Sequence, residues 1–220
     1  MIEAVIFDMD GVLIDSEPYW KIAMANVFQT VGVEMSAEKA RQTLGLRIRE
    51  VVEFWHKKEP WTGKDTEKVL EEIIADVERL VLERGEILPG VHQTIEFFRE
   101  KELPVALASS SPMGLIESFV GKMGIRSHLH AMRSGDQEEY SKPHPAIFIN
   151  VAKEMGVDPK RCLVFEDSVN GVIAAKAAGM KTVAIPEAEM YADARFSIAD
   201  MKLASMADFG EKQWLEMNRY

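Results

Sequence analysis

The chain has 220 residues, 47% of them apolar and 28% charged, with a formal net charge of −10. That apolar content supports one large domain, or a core carrying a modest insertion, and the acidic balance disfavours nucleic acid and anionic membrane as general partners. The single cysteine, Cys162, rules out an internal disulfide; it fits a reducing compartment and an expected cytoplasmic location.

The N-terminus carries Glu3, Asp8 and Asp10 with no basic segment, so it is not expected to be a signal peptide, and no apolar run reaches the length of a bilayer span. Ala4-Val5-Ile6-Phe7 is a short apolar run with β-branched residues, read as a buried strand that stops at Asp8. From about Asp15 to Glu86 no strand pattern is found. Helices are read over Tyr19–Val31 and Ile48–Lys58. Val69, Leu70, Ile73, Ile74, Val77, Leu80 and Val81 follow the 3.6-residue spacing of an amphipathic helix. Leu88-Pro89-Gly90 is a turn signal.

Strand and helix patterns then alternate. Apolar runs recur at Val105–Ala108, Cys162–Phe165 and Thr182–Ile185, with a weaker one near Met201–Leu203. Helical patterns fill Val91–Lys101, Leu115–Met123, Ala146–Met155 and Ser168–Ala178, the last closed by Gly179. Such alternation implies an α/β fold: a Rossmann-like parallel sheet core, residues 1–14 and 88–220, with a small all-helical domain, residues 15–87, inserted after the first strand.

Four polar clusters carry candidate chemistry. Asp8 and Asp10 lie two apart at a strand end, so their side chains face one side, and Gly11 lets the chain turn beside them. Ser109, with Ser110 and Ser111, follows the second apolar run; hydroxyls and backbone N–H groups there suit a phosphate, and equally suit a helix cap. Lys142 stands in Ser141-Lys142-Pro143-His144-Pro145, as a phosphate ligand or a solvated lysine. Glu166-Asp167-Ser168 ends another strand, where the carboxylates suit a hard cation or a cap. Three of the four clusters begin at strand C-terminal ends, the edge where open α/β sheets bind ligands. Together they hold the groups that phosphoryl transfer through a carboxylate and Mg²⁺ requires.

Asp8–Asp15 resembles the first motif of the haloacid dehalogenase superfamily, Ser109 its second, Lys142 its third and Glu166-Asp167 its fourth. The helical insertion resembles the family's α-helical cap. The resemblance implies Asp8 as nucleophile and Asp10 as general acid and base. It also implies Mg²⁺ held by Asp8, the Asp10 carbonyl and Asp167, with Glu166 nearby or ligating through water, and a phosphoryl group bound by Ser109, Ser110 and Lys142. Within the superfamily, Asp10 argues against dehalogenation, and Trp20 stands where related mutases usually carry histidine. Asp15-Ser16-Glu17-Pro18, Thr43-Leu44-Gly45-Leu46-Arg47 and Pro60-Trp61 resemble the bacterial sugar- and hexitol-phosphate phosphatases, including those called 2-deoxyglucose-6-phosphatases. In that case Glu17, Trp20 and Arg47 are expected to meet the sugar end of a small phosphorylated substrate, and the protein to be a monomer or a weak dimer. A sugar-phosphate mutase and a non-catalytic phosphoacceptor or sugar-phosphate sensor are the alternatives.

Overall fold

The computed structural model describes residues 1–43 and 46–219. Leu44 and Gly45, part of the insertion's resemblance, lie outside the described residues. The chain divides into two compact units, Met1–Asp15 with Ile87–Tyr220, and Ser16–Glu86.

The first unit is built on strands β1 (Ala4–Phe7), β2 (Val105–Ser109), β3 (Ala131–Ser134), β4 (Cys162–Glu166), β5 (Lys181–Ala184) and β6 (Met201–Lys202). They form one all-parallel sheet in the order β3-β2-β1-β4-β5-β6. This is the α/β parallel-sheet fold expected from the alternating runs. β1 is central because all four of its residues are apolar and buried, so both faces must be covered. Side chains alternate between the faces. Ala4 and Ile6 join Ala106, Ala108, Cys162 and Val164 in a core closed by helices at Ala146–Glu154 and Val169–Ala177. On the opposite side Phe7 stacks on Phe165 at 4.8 Å, and Phe98 and Phe209 lie at 5.9 and 4.9 Å from Phe165. Full burial suits Cys162 to its core role. That burial, with Asp158 and Glu3 nearby, pushes the thiol up to about 12, so it stays protonated at neutral pH.

The register fixes what leaves the sheet's C-terminal edge. Phe7 is opposite both Leu107 of β2 and Phe165 of β4, so Asp8 emerges between Ala108 and Glu166. The Asp8 N–H donates to the Phe165 carbonyl at 3.0 Å. Strand order reverses around β1, and the next strands in sequence lie to either side of it, the kind of switch point at which open α/β sheets bind ligands.

The second unit holds α1 (Glu17–Thr30), α2 (Ala37–Gln42), α3 (Ile48–Lys58) and α4 (Thr66–Arg84). α4 buries Val69, Leu70, Ile73, Val77, Leu80 and Val81, the stripe seen in the sequence, with Ile74 outside the buried set. Asp65 caps its start by accepting from the Lys68 N–H at 2.7 Å. Trp55 and Trp61 are buried, Trp61 lying edge-on to Phe28 at 5.9 Å. Among the described residues, no helix is long and apolar enough to cross a membrane.

Candidate active site

Asp8, Asp10, Ser109, Lys142, Glu166 and Asp167 converge at the C-terminal edge of β1, β2 and β4. Lys142 is only 6% exposed, and its ammonium is fully engaged. It donates to Asp8 Oδ1 at 2.7 Å, to Glu166 Oε1 at 2.5 Å and to the Ala108 carbonyl at 3.2 Å. It also lies 4.8 Å from the Phe148 ring centroid, a favourable cation–π placement. Burial alone would drive the ammonium towards neutrality. Asp8 and Glu166 more than offset this and hold it charged, above the usual lysine range. The solvated-lysine alternative is therefore excluded.

The second Glu166 oxygen accepts from both the N–H and the hydroxyl of Ser168, each at 3.0 Å. Ser168 in turn caps the following helix by accepting from the Gly171 N–H. Both Glu166 oxygens are thus occupied. In this structure Glu166 is the buried counter-ion that holds Lys142. A Cβ at Gly171 would fall 1.8 Å from Glu166 Oε1, so only glycine leaves room for this carboxylate.

Asp10 is held from the other side. Its Oδ2 accepts from Ser109 Oγ at 3.1 Å and from Ser111 Oγ at 2.7 Å. The Ser111 N–H donates to Ser109 Oγ at 3.0 Å, and buried Ser134 donates to the Ser111 carbonyl at 2.7 Å. The helix Met113–Met123 begins at Pro112 without any side-chain cap, so neither hydroxyl is spent on capping it. Ser110 backs onto Gly135, where a Cβ would meet its Cα at 3.0 Å.

Gly11 turns the chain at φ 73°, and its N–H donates to the Ile14 carbonyl at 3.0 Å. A Cβ there would fall 2.3 Å from Asp167 Oδ2, so the loop after β1 lies directly against the Asp167 carboxyl. Four acids face one ammonium. Burial, the pull of Lys142 and the opposing push of Glu166 and Asp10 leave Asp8 raised to about 8. Burial of its carboxyl, then Glu166 and Asp8, push Asp167 well above the carboxylate range.

Glu17, Trp20 and Arg47 lie in the second unit. Glu17 pairs with Lys21 at 3.4 Å. The Trp20 N–H donates to the Ser16 carbonyl at 3.1 Å in the first turn of α1. Arg47 precedes α3 and pairs with Glu50 at 2.9 Å. The sequence reading missed the Ser111–Asp10 bond and the service of Gly171 to Glu166. The one available signal was that Ser111 stands two residues from Ser109, the same spacing that joins Asp8 to Asp10.

The haloacid dehalogenase-like hydrolase family matches residues 2–179. Hexitol phosphatase B of Escherichia coli (strain K12) is 42% identical over 213 residues, covering 96% of this chain and 96% of that protein. A phosphorylated carbohydrates phosphatase of Thermotoga maritima is 34% identical over 182 residues, covering 82% of this chain and 83% of that protein. Among solved structures, a β-phosphoglucomutase from Clostridium difficile aligns with a TM-score of 0.84 at 25% identity, over 99% of this chain and 97% of the other. With the acid pair, the serine loop, the lysine and the second acid pair all at one sheet edge, the chain belongs to the haloacid dehalogenase-like hydrolase family.

Proposed function

We propose that the protein is a Mg²⁺-dependent phosphatase that hydrolyses phosphomonoesters of small sugars or sugar alcohols through a phosphorylated Asp8. The observation that carries this is the buried ammonium of Lys142 bonded to Asp8 Oδ1 at 2.7 Å, with Asp10 two residues further along the chain. A carboxylate nucleophile needs an anion-tolerant site, and Lys142 supplies the fixed positive charge. Asp8 attacks phosphorus, and an Asp8 oxygen–phosphorus bond forms as the ester P–O bond breaks. The leaving oxygen keeps the electron pair and takes a proton from Asp10. Asp10 then accepts a proton from the water that cleaves the phosphorylated Asp8, returning the acid–base pair to its starting state. Ser109, the Ser110 N–H and Lys142 bind the phosphoryl oxygens.

The donor chemistry fits a hard divalent cation. Asp8 and Asp167 offer carboxylate oxygens, and Asp10 its carbonyl. Mg²⁺ takes one or two carboxylates and keeps several waters, so it needs no all-protein cage. Among the described residues no group of three His, Cys, Asp or Glu side chains forms such a cage. Burial and the neighbouring acids raise the Asp8 and Asp167 carboxyls, and this supports a further positive charge as partner to a bound phosphate dianion. When bound, the cation supplies that charge and favours ionised Asp8.

Sugar and hexitol phosphates are the proposed substrates because hexitol phosphatase B and the phosphorylated carbohydrates phosphatase are similar over most of the chain. The unit Ser16–Glu86 is the proposed cap, excluding water during transfer, with Glu17, Trp20 and Arg47 as its substrate contacts. Phosphate release from hexitol phosphates, hexose phosphates, 2-deoxyglucose 6-phosphate and nucleotides, with and without Mg²⁺, tests the assignment. Release from the sugar or hexitol esters that depends on the cation supports it; absence of release from all of them overturns it.

A further inference from the structure

Ser109 has two tasks and one hydroxyl proton. It donates that proton to Asp10 Oδ2 at 3.1 Å, yet a phosphoryl oxygen bound by Ser109 would have to receive it instead. A serine O–H makes one donation at a time. Once a phosphoryl group binds, Asp10 therefore loses this bond at the moment when its orientation matters most.

Ser111 resolves the conflict. Its Oγ donates to the same Oδ2 at 2.7 Å, the shorter of the two bonds. Ser111 is 5% exposed and anchored on both backbone sides: its carbonyl accepts from Ser134 Oγ at 2.7 Å, and its N–H donates to Ser109 Oγ at 3.0 Å. Ser134 is itself fully buried at the end of β3. This anchoring survives when Ser109 rotates its proton, because the Ser111 N–H uses an oxygen lone pair of Ser109.

We infer that Ser111 is a positioning residue for Asp10, holding its carboxyl through Oδ2 when Ser109 turns to the phosphoryl group. The inference rests on the phosphatase assignment above and adds a residue that acts through Asp10. Asp10 gives its proton to the leaving oxygen during the first transfer. Misorientation therefore matters most where the leaving alkoxide is strongly basic, and little where it departs as a stable phenolate.

The test compares wild type, Ser111→Ala and Ser111→Thr on a hexitol phosphate and on 4-nitrophenyl phosphate, using kcat/KM, which reports the first transfer alone. Inhibition by inorganic phosphate and thermal unfolding are measured alongside, with rates normalised to folded protein. Ser111→Ala is expected to lower kcat/KM for the hexitol ester by about 10- to 100-fold, part of the usual general-acid contribution. The aryl ester should lose no more than about threefold, the inhibition constant for phosphate should move less than about twofold, and Ser111→Thr should return the hexitol ester to within about threefold of wild type. Equal losses on both esters, or weakened phosphate inhibition, would overturn the inference and make Ser111 a phosphoryl ligand or a structural residue. If wild type hydrolyses neither ester, the phosphatase assignment itself fails and takes this inference with it.

Discussion

Lys142 and Asp8 are 134 positions apart in the chain, yet Lys142 Nζ donates to Asp8 Oδ1 across 2.7 Å, with each residue only 6% exposed. The same ammonium holds Glu166. Two buried carboxyls therefore depend on one cation, and the cation's charge depends on them. Such an arrangement contributes little net stability over an apolar core, but removing one partner strands the others.

Lys142→Met keeps an unbranched side chain of similar length and removes the charge, together with the cation–π contact to Phe148. Glu166, at 1% exposure, then has no counter-ion, and Asp8, raised to about 8 and largely protonated near pH 7, loses a hydrogen-bond donor. Unfolding stability near pH 7 should fall by about 3–5 kcal/mol, read from denaturant titration. Adding Glu166→Gln to Lys142→Met should recover part of the loss, because the stranded charge is gone. If Lys142 binds the phosphoryl group as proposed, phosphate release should fall at least about 100-fold in both variants. An unchanged denaturation midpoint in Lys142→Met would contradict the pairing.

Asp8 also sets a pH dependence in cation-free protein. Its folded carboxyl titrates at about 8, against 3.8 as the ordinary value, and Asp167 is raised as well. Between those limits the folded chain keeps a proton that the unfolded chain has lost. Stability from this group is complete below about pH 4 and falls as pH rises towards about 8, by up to about 1.4 kcal/mol per pH unit. Asp8→Asn removes the titration. The variant's melting temperature should therefore gain on wild type between about pH 5 and pH 7.5, by on the order of 5 °C or more. Mg²⁺ should stabilise wild type more at the upper end of this range than at the lower. A gap between the two proteins that stays constant with pH would show that Asp8 is not raised.

The central strands were legible because burial on both faces forces continuous apolar runs. β1, β2 and β4 are buried at every residue. β3, the edge strand Ala131-Met132-Arg133-Ser134, was not read as a strand, because three of its four residues are partly exposed and no apolar run results. The seven-residue helix Glu211–Met217 and α2 are too short for a convincing period. In the site, Asp8, Ser109 and Glu166 stood out as polar residues at the ends of apolar runs. The links among them did not stand out. That Lys142 reaches the Ala108 carbonyl, or that Ser134 steadies Ser111, depends on strand order, which no local pattern encodes.

Gly171 exemplifies such a hidden dependence. In sequence it is a glycine in the first turn of a helix, where alanine would ordinarily stabilise. In the structure a Cβ would fall 1.8 and 2.2 Å from the two Glu166 oxygens. Glu166 is a long side chain, but it is pinned by Lys142 and twice by Ser168, so it yields only by breaking those bonds. Gly171→Ala should therefore lower stability by about 1–3 kcal/mol, against the gain that helix propensity alone would give. It should also reduce kcat/KM by about tenfold or more through displaced Lys142. A stabilised variant with normal activity would show that Glu166 relaxes freely and does not hold the lysine.

The sharpest distinction lies between Asp8 and Asp10, two carboxyls of the same strand end with different partners. Asp8 bonds to the buried ammonium, whereas Asp10 bonds to two hydroxyls. If Asp8 forms the bond to phosphorus, Asp8→Asn has no nucleophile, and its backbone should stay in place because the N–H still reaches the Phe165 carbonyl. Acid quenching during turnover of 4-nitrophenyl phosphate should then trap no phosphorylated protein, and phosphate release should fall to background. Asp10→Asn would retain the proposed nucleophile and lose the proposed base that activates water. With an aryl ester, which leaves without a proton, this variant should still be phosphorylated and should accumulate the phosphorylated form that wild type clears. Mass spectrometry of the quenched proteins reads both outcomes. The two variants are thus expected to fail at opposite ends of the cycle. Near-normal phosphate release by Asp8→Asn, in a preparation free of other phosphatases, would remove Asp8 from the nucleophile's role.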